Sequence, residues 1–422
     1  ALVLLMTPGL AFFYGGMVRS KNVLGMLMQN YFAMGIVSIL WVLFTFSLAF
    51  GKGNGFIGDL HFAGLKHFMD GVPGYGTDPS VAAQGTTQTI PTLVFVAFQL
   101  MFAIITPALI VGSTADRWKF GAFVVFITVW AIVDYGPVAH WVFSPEGWLF
   151  KRGAEDYAGG TVVHANAGAA GLAMCLVLGK RKGWPKEPMK PHNVPFVLLG
   201  AGLLWFGWFG FNAGSALNAQ GAAIPFITTN TATAAAMLAW LCVEKLRDGH
   251  ATTLGAASGA VAGLVAITPA AGFVSPMGSI AVGIIAGTCC SLATTLKYRL
   301  GFDDSLDVVA VHLLGGVLGA LTIGLFGDAH FGGVNGVFRG GGWTLMGHQA
   351  LAAGVVVAYS FSVSFALGKL IGVFMKNRLH EDHEVAGMDI TQHGETAYEF
   401  GAVRAGNFVP SALHGGSSPA RA

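Results

Sequence analysis

The chain has 422 residues, of which 54% are hydrophobic and only 10% are charged, and its mean hydropathy is +0.63. A water-soluble globular protein carries roughly a quarter charged residues, so this composition excludes that class and indicates an integral membrane protein. The formal net charge of +2 favours no class of partner, and we expect no nucleic-acid partner.

Eleven apolar runs have the length needed to cross a membrane, which predicts an all-α polytopic membrane protein. With an external N-terminus, strict alternation places residues 376–422 in the cytoplasm as a C-terminal tail, after a transmembrane domain of residues 1–375. The last run is long enough to require a tilt. In chain order the runs cover about residues 1–18, 24–51, 90–113, 120–143, 158–179, 194–214, 222–244, 251–271, 277–296, 304–327 and 345–375.

The distribution of basic residues supports this orientation. Cytoplasmic loops of membrane proteins are enriched in Lys and Arg. Of the 23 basic residues, 18 fall in segments assigned to the inside and 5 in segments assigned to the outside. We therefore expect a multi-pass protein of the cell (inner) membrane, with its N-terminus outside and its C-terminus in the cytoplasm.

The four cysteines and the start of the chain give further expectations. Cys175, Cys242, Cys289 and Cys290 lie in apolar runs without C-x-x-C spacing, so we predict small core residues rather than disulfides or metal ligands. No cofactor motif, nucleophile or metal cluster is found, so we predict no cofactor, no metal and no enzymatic activity. The first residues lack the basic region of a signal peptide, so we expect Ala1 inside or just before the first span, with an external segment missing.

Two histidines lie at the same distance from an aspartate, His164 after Asp156 and His312 after Asp304. Eight helical residues rise by about 12 Å, which places both imidazoles near the middle of a bilayer, where a titratable group is a functional candidate. Because the two spans run in opposite directions, we predict an inverted repeat, with repeat one at about 1–180, repeat two at about 194–327 and a last helix at about 345–375.

The chemistry of these groups leaves alternatives open. Two neutral imidazoles can bond to each other, present a nitrogen to a small polar guest and relay a proton. A single buried histidine can also simply bond to a neighbouring carbonyl. Asp156 and Asp304 each precede a helix, where capping is a sufficient role, although Asp156 can also attract a cation at the outer mouth.

Small and aromatic residues surround these elements. Glycines in the two histidine-bearing spans predict close helix packing. Phe98 and Phe102 lie one turn apart, and Trp208 and Phe211 belong to an aromatic cluster that ends the sixth run. Such clusters often form membrane-interface belts, but aromatic faces also hold cations. Residues 52–89 and 327–342 are predicted to be irregular surface segments, and residues 415–422 to be disordered.

Five segments together resemble the ammonium transporter (Amt/Rh) family on its bacterial Amt side. They are PGLAFFYGG at 8–16, DYAGGTVVH at 156–164, GWFGFNAGS at 207–215, VH at 311–312 and GMDITQHGE at 387–395. The resemblance covers residues 1 to about 399. It implies eleven helices, an external N-terminus and a homotrimer with one pore in each subunit.

The resemblance also assigns roles to residues. His164 and His312 look like the paired pore histidines, Trp208 like a pore-lining residue, and Phe102 and Phe211 like the gate. The ammonium vestibule would be formed by Phe98, Phe143, Ser215 and Asp156. At 143 the family usually has tryptophan, and phenylalanine is the weaker cation–π partner. In the tail, Gly387, Asp389, His393, Gly394 and Glu395 resemble the element that couples to PII signalling proteins at the cytoplasmic face.

The expected function is therefore ammonium transport. Ammonium would bind at the mouth, lose a proton and cross as ammonia along His164 and His312, because a cation pays a far larger desolvation cost in an apolar tube. Potassium has no proton to lose and would be excluded. Methylammonium is a second expected substrate, and membrane lipid surrounds the protein. A proton relay through the imidazoles stays open. The alternative function is an ammonium sensor with little flux, and the short tail favours the transporter.

Overall fold

The computed structural model describes residues 1–77 and 89–398, and within these ranges the regular elements are helices, with three isolated β-bridges. Nine helices of this part of the chain are long and apolar enough to cross a membrane, and two further apolar helices are shorter. In chain order they are α1 Leu2–Met17 (short), α2 Ser20–Phe50, α3 Thr92–Thr114, α4 Phe120–Lys151, α5 Gly160–Leu178, α6 Val194–Ala216, α7 Ala223–Asp248, α8 Thr253–Ile267 (short), α9 Pro276–Leu300, α10 Val309–Phe326 and α11 Thr344–Phe374.

Each of the eleven predicted runs overlaps one of these helices, so the prediction of an all-helical polytopic membrane protein is confirmed. The helix lengths do not by themselves establish eleven membrane crossings. Helices α1 and α8 have 16 and 15 residues, which corresponds to about 24 and 22 Å, less than the roughly 30 Å of a hydrocarbon core. Helix α11, with 31 residues, is longer than the core and fits a tilted crossing.

Glycines set the closest approach between helices in the middle of the bundle. A Cβ atom on Gly200 of α6 would lie 2.3 Å from the backbone nitrogen of Phe13 in α1. A Cβ on Gly168 of α5 would lie 2.3 Å from the backbone nitrogen of Leu313 in α10. No side chain fits at such distances, so backbone packs on backbone at both contacts.

The helices that carry the candidate site residues are locally wider than an α-helix. A π-helical turn opens α5 at Gly160–Ala165, another opens α10 at Val309–Leu313, and a third lies near the end of α6 at Phe209–Ala213. The regular α-helix expected over the two Asp-to-His intervals is therefore wrong. Such turns re-aim the side chains that they carry and occur frequently at functional sites.

The prediction that all four cysteines are core residues is wrong in part. Cys175 and Cys290 are buried, Cys289 is intermediate and Cys242 is exposed, and all four are unpaired. An apolar run does not predict burial in this protein, because a membrane helix is apolar on its lipid-facing side as well as on its packed side.

Surface segments join the helices. Residues 51–77 form an irregular loop with short 3₁₀ turns at Ala63–Leu65 and Phe68–Asp70, and the glycine-rich segment after α10 holds one at Val337–Arg339. After α11, the helix Glu381–Ala386 and the π-helical turn Asp389–His393 form the described part of the tail. Asp78 of the predicted outer loop and the predicted disordered end at 415–422 lie outside the described residues.

Candidate functional site

His164 and His312 face each other in the centre of the helix bundle. Each lies in the π-helical turn that opens its helix, and each is almost fully buried. Their Nδ1 atoms are 3.3 Å apart, and the two rings are stacked with centroids 5.3 Å apart and an angle of 22°. A hydrogen bond between two imidazoles requires one ring to donate and the other to accept. Among the described residues, His164 Nε2 has no hydrogen-bond partner.

Trp208 orients the first of these rings. Its indole stacks on His164 with centroids 5.3 Å apart and an angle of 19°. The indole nitrogen donates a 2.8 Å hydrogen bond to the hydroxyl of Thr268, which follows α8, and Thr268 in turn donates to the carbonyl of Leu264. The satisfied indole is therefore fixed in place and holds the imidazole plane. Sequence reasoning did not identify Thr268, which lies 60 residues from Trp208.

Phe102 and Phe211 form a stacked pair beside the histidines. Their ring centroids are 4.1 Å apart at an angle of 16°, and both side chains are fully buried. Phe211 lies 6.1 Å from the His164 ring, and Phe98 packs edge-on against Phe102 at 4.9 Å. The rings thus form a continuous series from Phe98 to the imidazole pair.

A cavity of about 100 Å³ lies at the Phe98 end of this series. Its lining includes the four residues that the sequence analysis assigned to a vestibule, Phe98, Phe143, Asp156 and Ser215. The Ser215 hydroxyl donates a 2.9 Å hydrogen bond to the carbonyl of Phe211. The lone pairs of the Ser215 oxygen can still accept a hydrogen bond from a guest. Aromatic faces and oxygen acceptors together suit a small cation.

Asp156 is held by the start of α5. One carboxylate oxygen accepts the N–H groups of Gly159 and Gly160 at 2.8 and 2.7 Å, and the other accepts those of Thr161 and Val162 at 2.8 and 3.1 Å. Burial raises the pKa of this carboxyl, and the four backbone donors oppose that shift. The geometry is that of a complete helix cap, in which the carboxylate complements the helix dipole.

Comparison with known proteins gives this arrangement a family. The sequence model of the Ammonium Transporter Family matches residues 1–398. The chain belongs to the ammonium transporter family. An ammonium transporter of Mycobacterium tuberculosis (strain H37Rv) is 52% identical over 432 residues, which cover 97% of this chain and 90% of that protein.

Solved structures agree with this assignment. The crystal structure of Saccharomyces cerevisiae Mep2 is similar with a TM-score of 0.83 at 36% identity, covering 96% of this chain and 90% of that chain. A structure named Sensor Amt Protein gives a TM-score of 0.82 at 27% identity, covering 93% and 95%. Family membership and the apolar helices make this chain a multi-pass membrane protein of a transporter family, and ammonium transport is the function that its relatives support.

The transporter has lining residues in the cavity that sequence reasoning missed. Gln99, Tyr75 and the second carboxyl, Glu155, all contribute to it. The backbone N–H of Glu155 donates to the Gln349 side chain of α11, and its carbonyl accepts from the same side chain, each at 2.7 Å. Burial and the neighbouring Asp156 raise the pKa of Glu155. The position of Glu155 directly before Asp156 in the sequence could have identified it as a lining residue.

Phe143 is the vestibule residue at which the resemblance leads us to expect tryptophan. Its ring meets Phe102 edge-on at 6.1 Å, and its carbonyl accepts a hydrogen bond from the Tyr75 hydroxyl. Trp141 and Trp148, the nearest tryptophans in sequence, pack on each other at 6.1 Å, and neither is among the described residues that line the cavity. Neither indole therefore lines the cavity beside Phe143.

Asp304 resembles Asp156 in sequence position but not in its contacts. Among the described backbone donors, only the N–H of Val309 bonds to its side chain, at 2.7 Å, and one carboxylate oxygen has no partner there. Asp307 lies nearby and pairs with Lys297 at 2.7 Å. Burial, followed by the negative charge of Asp307, raises the pKa of Asp304 to about 6.

The described tail of the transporter packs against the start of α2 and the start of α4. Asp389 accepts the N–H of Gly25 at 2.8 Å, and Gly387 has a φ of +110° and lies so close to Lys21 that a side chain would not fit. The His393 ring meets Phe120 edge-on at 5.0 Å. Burial raises the pKa of Asp389 and lowers that of His393. Gly394, at a φ of +69°, and Glu395 complete the predicted regulatory segment, and Glu395 is exposed.

Proposed function

We propose that this protein binds ammonium in the cavity at Phe98, where the ion gives up a proton to water, and conducts ammonia between Phe102 and Phe211 to the imidazole pair. The observation that carries the proposal is the unbroken series of rings from the cavity through Phe102 and Phe211 to His164 and His312.

The proposed selectivity follows from the cost of desolvation. Phe102 and Phe211 are fully buried and stacked at 4.1 Å, so a guest must leave its water shell and separate the rings. An ion pays a far larger cost for this than a neutral amine. Ammonium can lose a proton and pass as ammonia, whereas potassium cannot. Methylammonium, which can also lose a proton, is the proposed second substrate.

Each vestibule residue has a proposed contribution. Phe98 and Phe143 offer ring faces to the cation at about 0.5 to 2 kcal/mol each, and the Ser215 oxygen accepts an ammonium N–H. The four N–H bonds on Asp156 leave it little capacity to act as a proton acceptor. Its proposed role is therefore to fix the start of α5 and to supply negative field. Trp208 lines the pore and holds the His164 ring.

The test of the pore is an ion-jump measurement on proteoliposomes of the purified protein. Wild type should give a saturable transient current with ammonium and none with potassium. We expect His164→Ala combined with His312→Ala to remove most of the ammonium flux or to admit potassium. The matched control is His330→Ala, which changes an exposed histidine outside the bundle. Unchanged flux and unchanged selectivity in the double variant would contradict a role for the imidazoles.

The same vesicles separate transport from sensing. The similarity to the Sensor Amt Protein makes an ammonium sensor with little flux the second candidate function. An internal pH dye detects electroneutral ammonia entry even where no current flows. Ammonium binding without current and without a pH change would identify the sensor, and a current would indicate that charge, carried by a proton relay, crosses with ammonia.

The proposed arrangement in the cell (inner) membrane has eleven crossings in two inverted repeats of five and a last helix, α11. The support is the opposite predicted direction of α5 and α10, their matching π-helical turns and the 18 to 5 split of basic residues. Cysteine-accessibility labelling in intact cells tests it. Positions in the 51–77 loop should react with an impermeant reagent, and positions in the 381–395 segment should react only after lysis.

A homotrimer with one pore in each subunit is the proposed assembly, and native mass spectrometry tests it directly. The proposed cytoplasmic partner is a PII signalling protein that contacts the 387–395 segment. The contacts of Asp389 and Gly387 with the start of α2 support a link between this segment and the bundle. Failure of a PII protein to co-purify under any nucleotide condition, with the tail intact, would remove the regulatory proposal.

A further inference from the structure

The loop between α2 and α3 brings together three side chains that have no part in the pore. His61, His67 and Asp70 each offer a ligand atom, and these atoms lie within 4.8 Å of one another. His61 Nε2 is 2.9 Å from Asp70 Oδ2, and the rings of His61 and His67 stack with centroids 4.7 Å apart. We infer that these three residues form a binding site for a divalent cation of the zinc class.

The ligand types decide the class of metal. Two imidazole nitrogens and one carboxylate oxygen are a common set for Zn²⁺ and also suit Ni²⁺ and Cu²⁺. Mg²⁺ and Ca²⁺ prefer oxygen ligands, and this cluster offers one carboxylate. Three protein ligands leave a fourth tetrahedral position open to solvent, which is accessible because all three side chains are exposed.

The distances are close to those of a bound ion. Tetrahedral ligands at 2.0 to 2.1 Å from zinc lie about 3.3 Å from one another. His61 and Asp70 are already nearer than that, at 2.9 Å. No two ligand atoms are more than 4.8 Å apart, so the longest separation must shorten by at most about 1.5 Å, which a rotation of the exposed His67 side chain can provide. The ion would replace one exposed ion pair, whose contribution to stability is small.

The backbone that carries the ligands is anchored. Phe62, which follows His61, is buried and packs on Phe46 at 5.7 Å. The backbone N–H of His61 is held by the Asp59 carboxylate at 3.1 Å. His67 has a φ of +55°, and its carbonyl accepts the N–H of Asp70 at 2.9 Å, so one tight turn presents both residues to the same side. The ligand set therefore depends on side-chain rotation and not on folding of the loop.

Among the described residues that line the cavity beside this cluster, the other charges are one of each sign. Lys52 and Asp59 line the same cavity of about 480 Å³ as His61 and Asp70. One opposes a cation and the other favours it, so the three ligands must supply the binding. The competing explanation is a simple ion pair between His61 and Asp70. In that case His67 would contribute nothing to metal affinity, which gives His67 the deciding role in the experiment.

The experiment is a Zn²⁺ titration of the full-length protein in detergent by isothermal calorimetry, after removal of any histidine tag and treatment with a chelator. We expect one Zn²⁺ per chain in wild type and at least tenfold weaker binding in His61→Ala, His67→Ala and Asp70→Ala. The matched control His330→Ala should bind as wild type, because that exposed histidine lies outside the cluster. Excess Mg²⁺ should not compete.

A second readout protects the test against a folding defect. Each variant is compared with wild type by thermal unfolding in chelator, where the exposed substitutions should leave the midpoint unchanged. Co²⁺ added to wild type should give the visible absorption of a tetrahedral site, and this band should be absent in His67→Gln. Equal Zn²⁺ affinity in wild type and His67→Ala, or the absence of the Co²⁺ band in wild type, would overturn the proposal.

Discussion

The contact between α5 and α10 gives a prediction that alters neither histidine. Gly316 of α10 packs against the turn that carries His164, and a Cβ at this position would lie 2.6 Å from the carbonyl oxygen of Gly160 and 2.7 Å from the backbone nitrogen of Ala165. Both neighbours are backbone atoms of a rigid helix, so they cannot rotate away. In Gly316→Ala the two helices must separate.

The size of the separation follows from the distances. Ordinary van der Waals contact between a Cβ atom and a neighbouring atom begins at about 3.4 Å, so the added methyl overlaps the Gly160 oxygen by about 0.8 Å. A shift of that size takes the two Nδ1 atoms from 3.3 Å to about 4.1 Å, beyond hydrogen-bond range. Loss of a net 1 to 1.5 kcal/mol for one such bond corresponds to a fall in ammonium flux of about five- to twelvefold.

The assay is the ammonium-elicited current in proteoliposomes, normalised to the amount of reconstituted protein. The matched control is Gly315→Ala, which adds the same methyl one residue earlier on the same helix. Its Cβ would meet the end of the Val265 side chain at 3.1 Å, a contact that a small rotation relieves. We expect the control to retain most of the wild-type flux.

Overpacking also lowers stability, by about 1 to 3 kcal/mol, so the thermal unfolding midpoint of each variant must be measured alongside the current. A folded Gly316→Ala protein with wild-type current would refute the reasoning, because conduction would then not require the observed spacing of the imidazoles. A loss of current equal in Gly315→Ala and Gly316→Ala would refute it equally, because the effect would then come from general packing.

Three further predictions concern residues at the ends of the pore. Asp156→Asn should lower the thermal unfolding midpoint, because the amide nitrogen must face one pair of the four backbone N–H groups and leaves those two donors unpaired at about 1 to 3 kcal/mol each; Asp382→Asn, at an exposed carboxyl of the tail, is the control and should not change it. The pKa of Asp304 is about 6 in the native protein, against an ordinary 3.8, so the native protein holds this proton more tightly than the unfolded chain does. The protonated carboxyl therefore contributes about 3 kcal/mol to the free energy of unfolding below pH 3.8, and this contribution is lost as the pH rises through 6. In Asp304→Asn the thermal unfolding midpoint should therefore depend less on pH between pH 4 and 6 than in wild type. An unchanged pH dependence would contradict the raised pKa of Asp304. Phe143→Trp should lower the half-saturating ammonium concentration about two- to fivefold in the current assay, because indole is the better cation–π partner; a weaker apparent affinity would indicate that the larger ring fills the cavity.

The sequence predicted the helices well because their signal is simple. A run of apolar residues long enough for a bilayer requires neither a partner nor a register, so all eleven runs became helices. The facing of His164 and His312 could be predicted because the Asp-to-His spacing occurs twice, in two spans that are predicted to run in opposite directions.

The wider turns could not be predicted. The π-helical turn at Gly160–Ala165 packs against Gly316, which lies about 150 residues away in the chain, and a local sequence pattern does not reveal such a contact. The same limit applies to two residues that are distant in the chain from the groups they hold. Thr268 accepts a hydrogen bond from Trp208, and Gln349 accepts one from Glu155. The limit applies also to Cys242, since a sequence does not reveal which side of an apolar helix faces the bundle.

The two aspartates show how a repeated spacing can conceal different chemistry. Three residues after each of them the backbone turns left-handed, at Gly159 with a φ of +103° and at Asp307 with a φ of +60°. At the first position glycine adopts this conformation without strain, and four N–H groups converge on Asp156. At the second position aspartate tolerates the same turn but brings a second negative charge beside Asp304, which keeps one N–H bond and a raised pKa. Equal spacing therefore predicts the equivalent places of the two carboxyls, while the residue at the turn determines that one is a saturated cap and the other a titrating group.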